Sequence, residues 1–129
     1  MTAAVLDAST VLALLFGEAG ADTVRSRVRG GLIGTVNLAE VLAKLVDKGL
    51  PAEEAARAVD MLGVEAVPLS VEQAQLSSAL RPATRAAGLS LGDRACLALA
   101  RERGLTAITA ERRWPDVAKE AHVAVEVIR

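Results

Sequence analysis

The chain has 129 residues, of which 52% are hydrophobic and 24% charged, a composition typical of a globular protein and not of a disordered one. Its net charge of −1 excludes a general electrostatic attraction to nucleic acid or membranes, so binding of nucleic acid must depend on local arginine clusters or on bound metal. The single cysteine, Cys96, excludes an intramolecular disulfide and a cysteine-rich zinc site.

The length predicts a single domain over residues 1–129. No apolar stretch approaches the roughly 20 residues of a membrane span, and no basic leader follows Met1. We therefore expect a cytoplasmic protein without a membrane contact.

Short apolar runs alternate with segments of helical spacing along the whole chain. In chain order the predicted elements are a strand over 3–6, helices over 9–16 and 21–29, a strand over 32–34, helices over 35–48 and 51–62, a strand over 64–69, helices over 70–87 and 90–103, a strand over 106–109, a helix over 115–121 and a strand over 123–128. Strands that alternate with helices predict an α/β sandwich with a mainly parallel central sheet.

Local signals mark several helix ends. Ser9, Thr35 and Ser90 are candidate N-caps, and Ser70 with Gln73 resembles a capping box. Pro82 is expected to kink or split the helix that contains it.

Four acidic residues lie in apolar surroundings beside a predicted strand end or helix start: Asp7, Glu40, Asp93 and Glu111. A lone carboxylate is costly to bury unless it is hydrogen-bonded or shares a cation. Asp7 and Glu111 follow strands whose carboxyl ends meet at the same edge of a parallel sheet, where ligands bind. Oxygen ligands without histidine or cysteine suit Mg²⁺ or Mn²⁺, and such a site favours phosphodiester hydrolysis.

Each acid also has a structural interpretation. Asp93 is three residues after Ser90 and could complete a helix cap, and Asp7 could cap the helix that follows it. Glu40 alone is more typical of a solvated helix residue, and Glu111 of a charged surface loop. The functional interpretation therefore depends on the set of four.

At these residues the chain resembles the PIN-domain family and, within it, the VapC-type toxins of bacterial toxin–antitoxin pairs. The stretches VLDASTVLALL, NLAEVL, LSLGDRACLALA and ITAERRWP follow the family's order over nearly the whole length. The resemblance implies a three-layer α/β/α sandwich and a nuclease that cuts single-stranded RNA or tRNA with Mg²⁺ or Mn²⁺.

Carried over by residue, the resemblance makes Asp7, Glu40 and Asp93 the acids that hold metal. Glu111 matches a fourth position where the family usually has aspartate, and its longer side chain favours contact through water over direct contact. Ser9 or Thr10 matches a hydroxyl that supports the first acid, although a helix cap competes equally for Ser9.

Three arginines adjoin these acids and are candidate RNA-binding residues: Arg94, Arg112 and Arg113. Phe16 and Trp114 are the only aromatic residues, which leaves little for base stacking. The resemblance also implies a VapB-type antitoxin, whose tail can place an arginine in the acidic cleft, and we expect a homodimer.

Two rival classes remain. One is a non-catalytic PIN-like module that binds RNA or protein, against which the retained acids argue. The other is a phosphotransferase of the haloacid-dehalogenase kind, but Ser9 occupies the position of that family's second aspartate.

Overall fold

Five short parallel strands form the centre of the molecule. The structure is a computed structural model that describes residues 3–129. The strands are β1 (Val5–Leu6), β2 (Leu32–Gly34), β3 (Glu65–Val67), β4 (Ala107–Thr109) and β5 (Val125–Val127), and they pair in the order β3-β2-β1-β4-β5. Every pair is parallel, with Val5 opposite both Leu32 and Ala107. This confirms the predicted parallel sheet.

Within residues 3–129, eight α-helices connect and flank the strands. They are α1 (Ala8–Phe16), α2 (Ala21–Val24), α3 (Thr35–Asp47), α4 (Ala52–Asp60), α5 (Val71–Ala79), α6 (Arg81–Thr84), α7 (Leu91–Arg103) and α8 (Pro115–Ala121), and a single 3₁₀ turn covers Arg25–Arg27. Among residues 3–129 no helix is long and apolar enough to cross a membrane.

The strands pack against a different set of helices on each face, because successive side chains of a strand point to opposite sides. Leu6, Ile33 and Ile108 join a core built with α1, α3 and α4. Val5, Leu32 and Ala107 join a second core built with α7 and α8, which also contains the fully buried Cys96. The protein is therefore a three-layer α/β/α sandwich, as predicted.

Most element ends follow the predicted signals. Ser70 and Ser90 cap α5 and α7 through their side chains, and Gly104 ends α7 in the left-handed conformation at φ 64°. The helix predicted over 70–87 splits just before Pro82 into α5 and α6, as expected, with Pro82 in the first turn of α6.

Three details differ from the prediction. Helix α1 begins at Ala8, so Asp7 takes the N-cap position and Ser9 lies inside the first turn. Gly34, not Thr35, takes the N-cap position of α3, and the Thr35 hydroxyl accepts a hydrogen bond from the Leu69 amide. The predicted helix over 21–29 divides into α2 and the 3₁₀ turn. In each case the contacts of the folded chain decide the local geometry.

Candidate active site

Asp7 is a buried carboxylate at the carboxyl end of β1, with 3% of its surface exposed. Its Oδ2 atom accepts hydrogen bonds from the Ser9 hydroxyl at 2.6 Å and the Thr109 hydroxyl at 2.9 Å. The pKa of Asp7 is raised to about 6, mainly because the carboxyl group is buried. The hydrogen bonds from Ser9 and Thr109 lower the pKa, whereas the negative charges of Asp93 and Glu40 raise it.

The hydroxyls of Ser9 and Thr109 also join α1 to the end of β4. Ser9 Oγ accepts a hydrogen bond from the Ala110 amide at 2.9 Å, and Thr109 Oγ1 accepts one from the Glu111 amide at 3.0 Å. The same two hydroxyls that orient Asp7 therefore fix the turn that carries Glu111. Thr109 was not predicted as a site residue, because a buried threonine in a strand gives no signal of its own.

Asn37 connects three parts of the site. It is fully buried in α3, and its Nδ2 atom donates to Gly92 O at 3.0 Å and to Glu40 Oε1 at 3.1 Å, with Asp7 Oδ1 at 3.4 Å. Acceptors surround this nitrogen, which fixes the orientation of the amide. Sequence reasoning missed Asn37; the signal available was a polar residue at a core-facing helical position, one turn before Glu40.

Glu40 lies on the exposed side of α3 with its carboxylate directed at the start of α7. Burial raises the pKa of Glu40, the Asn37 hydrogen bond opposes this, and the charge of Asp93 raises it further. A Cβ atom at Gly92 would overlap the Glu40 carboxylate. The missing side chain at Gly92 thus makes room for Glu40 against the backbone of α7.

Asp93 completes the helix cap that was considered for it and also lies at the cavity of the other acids. Its Oδ2 atom accepts from the Ser90 amide at 2.8 Å, while the Asp93 amide donates to the Ser90 hydroxyl, so the capping box is complete. The side chain also lines the cavity that contains the other acids. Its second oxygen, Oδ1, accepts no hydrogen bond from the described part of the chain.

One cavity of about 190 Å³ brings the four predicted acids together. Asp7, Glu40, Asp93 and Glu111 line it, with Ser9 and Lys44. Glu111 lies at its edge, 3.5 Å from the Arg113 guanidinium.

The donor set of this cavity fits a hard divalent cation. All four acids offer oxygen, which suits Mg²⁺ or Mn²⁺. Within residues 3–129, however, no three acidic, histidine or cysteine side chains are close enough to form a ready metal cluster. A hydrated Mg²⁺ needs only one or two protein carboxylates. The distance between the acidic side chains therefore fits an ion that keeps several of its water molecules.

The remaining predicted residues are placed as follows. Ser9 contacts Asp7, whereas the Thr10 hydroxyl donates to Ile108 O at 2.8 Å and lies away from the cavity. Arg94 is buried, 8% exposed, and donates to Ser77 O between α5 and α7, so it is not available to hold RNA. That interpretation of Arg94 is wrong, because the helix turn that places Asp93 at the cavity points the next residue inward.

Arg112 and Arg113 are exposed beside Glu111. Arg112 Nε donates to Arg129 O at 3.3 Å, and Arg113 donates to Ala87 O at 3.0 Å. Half of the Arg113 side chain remains exposed, at 51%. Both guanidinium groups therefore stay accessible at the edge of the site.

Comparisons with known proteins agree with this architecture. A family model described as the PIN domain matches residues 4–120. A search of curated proteins finds no significant match.

Solved structures share the fold over most of their length. A toxin–antitoxin complex from Klebsiella pneumoniae is 22% identical, with 84% of this chain and 87% of the other covered and a TM-score of 0.68. The VapBC2 complex from Rickettsia felis, bound to a DNA fragment from its promoter, is 14% identical. The match covers 99% of this chain and 100% of the other, with a TM-score of 0.72. VapBC-5 from Mycobacterium tuberculosis is 21% identical, covered at 100% and 99%, with a TM-score of 0.61.

Proposed function

Because the chain belongs to the PIN-domain family, we propose that it is a Mg²⁺- or Mn²⁺-dependent endoribonuclease that acts as the toxin of a toxin–antitoxin pair. Its substrate is single-stranded RNA or tRNA, whose phosphodiester bonds it hydrolyses. The observation that carries the proposal is the convergence of Asp7, Glu40, Asp93 and Glu111 on one cavity.

The electrostatics of the cavity favour a bound cation. Burial is the main reason that the pKa values of Asp7 and Glu40 are raised, and repulsion from neighbouring carboxylates raises them further. A bound divalent ion removes that repulsion. When bound, such an ion supplies charge neutralisation at a phosphodiester and lowers the pKa of a water molecule. Asp7, Glu40 and Asp93 would hold it, one or two of them directly and the rest through its water shell, and Glu111 would act through water.

The surrounding residues keep these carboxylates in place. Ser9 and Thr109 fix Oδ2 of Asp7, which leaves Oδ1 directed toward Asn37. Asn37 in turn holds Glu40 on the side of the cavity formed by α7. Such outer partners orient ligands, and their loss typically costs about 10- to 100-fold in metal affinity or activity. Arg112 and Arg113 would contact the RNA backbone at the edge of the site.

An antitoxin would regulate this site. The structural neighbours include complexes of toxins with antitoxins, which supports a VapB-type partner for this chain. A basic tail, and an arginine above all, complements an acidic cavity. Assembly of the toxin as a homodimer, in the cytoplasm, belongs to the same proposal.

Expression of the chain without an antitoxin tests the proposal directly. We expect new RNA ends within a short induction, which sequencing of those ends would detect and assign to a target. The purified protein should cleave the same RNA with Mg²⁺ or Mn²⁺ and stop in a chelator. Undiminished cleavage in the chelator would contradict the metal assignment, and RNA binding without cleavage would indicate a non-catalytic module.

Substitution Gly92→Ala should separate activity from stability. The new methyl group overlaps the Glu40 carboxylate, which can swing away at little cost because it is the end of a flexible side chain. We expect cleavage to fall about 10-fold or more. The free energy of unfolding, measured in urea, should be unchanged or higher by up to about 1 kcal/mol, since alanine is favoured over glycine in a helix.

Gly34→Ala is the matched control. A Cβ atom there meets its nearest neighbour, Asn37 Oδ1, at 3.5 Å, which is ordinary contact. If the Gly92→Ala and Gly34→Ala variants cleave RNA at the same rate, the position of Glu40 against α7 does not matter for cleavage.

A further inference from the structure

A second and larger cavity opens beside the acidic one. Its volume is about 570 Å³, and it shares Ser9, Leu12 and Lys44 with the acidic cavity. The two cavities therefore form one continuous depression, and only the smaller part carries the four clustered acids.

The larger cavity is a groove between α1 and α3, helices that pack against each other. From α1 come Ser9, Leu12 and Phe16, which recur at the spacing of one helix face. Glu40 and Lys44 of α3 and Lys48 at its C-cap form a matching row, each four residues after the last, or about 6 Å along the axis. Both rows begin at the acids and lead away from them.

The charge of the groove is opposite to that of the acidic cavity. Lys44, Lys48 and Arg129 line it together with one acid, Glu18, so the side chains that line it carry an excess of two positive charges. Glu18 is paired with Arg129 at 3.3 Å, whereas Lys44 and Lys48 form no ion pair within residues 3–129. In a chain of net charge −1, two unpaired lysines beside a nuclease-like site form a local anion-binding surface.

The groove also holds the one accessible phenyl or indole ring of residues 3–129. Trp114 is fully buried, whereas Phe16 is 40% exposed. The Lys48 ammonium lies over the face of the Phe16 ring, 5.9 Å from its centre, as a cation–π pair. A nucleotide that binds here exchanges this contact for two others, with its base stacked on the ring and its phosphate beside the ammonium.

We propose that this groove is a subsite for single-stranded RNA, in which a nucleotide next to the scissile phosphate stacks its base on Phe16 and places its phosphate against Lys44 and Lys48. The inference rests on the proposed nuclease function, since it takes the acidic cavity as the place of cleavage. It adds the direction in which the strand leaves that cavity, along α1 and α3.

Binding measured without divalent ions tests the subsite separately from cleavage. The probe is a labelled oligouridylate, which forms no base-paired structure, titrated by fluorescence anisotropy in a chelator at several salt concentrations. Phe16→Leu should weaken binding about 5-fold or more, and Phe16→Tyr should not, because it keeps the ring. Lys48→Gln should weaken binding and reduce the slope of log affinity against log salt by about 0.7.

Lys119→Gln provides the control, because this exposed lysine on α8 lines neither cavity. Equal losses in Lys48→Gln and Lys119→Gln would indicate unspecific attraction and overturn the subsite, as would unchanged affinity in Phe16→Leu and Lys48→Gln. If the groove variants bind a co-expressed antitoxin more weakly but keep their affinity for the oligouridylate, the groove binds a protein. That result would also overturn the proposed RNA subsite.

Cleavage assays on the same preparations keep the two proposals apart. If the wild-type protein binds the oligouridylate in the groove but cleaves no RNA in Mg²⁺ or Mn²⁺, the subsite stands and the nuclease function fails. If it cleaves RNA while the groove variants bind and cleave as the wild type does, the nuclease function stands and the subsite fails.

Discussion

Replacement of Asp7 by asparagine is expected to reduce divalent-ion-dependent RNA cleavage by more than about 100-fold, beyond the usual effect of losing an outer partner of a metal site. Asp7 is the most buried of the four acids and the one held by two hydroxyls. An amide keeps an oxygen for those hydroxyls but removes the negative charge that a divalent ion needs. Cleavage rates of the two proteins under matched ion concentrations measure the effect.

Thermal unfolding gives a second measurement that does not depend on activity. Mg²⁺ or Mn²⁺ should raise the Tm of the wild type, because an ion that binds only the folded state stabilises it, and should not raise that of Asp7→Asn. Asp116→Asn, at an exposed acid in the first turn of α8, is the control and should behave as the wild type. Full cleavage by Asp7→Asn would refute the role of Asp7.

Stability without divalent ions should fall as the pH rises from about 4 to about 6. The pKa of Asp7 is about 6 in the folded protein against 3.8 as the ordinary value, so between these values the folded state holds a proton that the unfolded state has lost. A difference of about 2 pKa units corresponds to about 3 kcal/mol of unfolding free energy. Chemical denaturation in a chelator across this pH range measures it.

The raised pKa of Glu40 acts in the same direction. The Asp7→Asn variant lacks the principal titrating group, so the unfolding free energy of this variant should vary much less between pH 4 and 6. At pH 7 the variant should be more stable than the wild type. If the unfolding free energy of the wild type instead rises between pH 4 and 6, the pKa of Asp7 is not raised in the folded protein and this prediction is wrong.

The fold was predictable because local and global signals agree. The short β-branched and apolar runs fall on all five strands, and the Ser90 cap with Gly104 sets the limits of α7. The 21–29 segment was harder, since Val24 and Val28 have the four-residue spacing of an α-helix, yet a 3₁₀ turn over Arg25–Arg27 separates them and both are still buried.

The site was predictable only in part. Asp7 and Glu111 follow strands, so the parallel sheet itself brings them to one edge. Asn37 and Thr109 act through partners 55 and 102 residues away, Gly92 and Asp7, and no local pattern encodes such contacts. Arg94 shows the opposite error, because adjacency in sequence to Asp93 says nothing about which side of the helix a side chain takes.

The double use of Asp93 limits how this protein can diverge. The same carboxylate closes the start of α7 and faces the acidic cavity, so any substitution of it, whatever its effect on the proposed activity, also removes a helix cap. On the proposed function, Ser90 is subject to the same selection as the acids through its hydrogen bonds to Asp93. On the same proposal, loss of activity by drift is expected to begin at Glu111 or Glu40, whose loss leaves the helix start untouched.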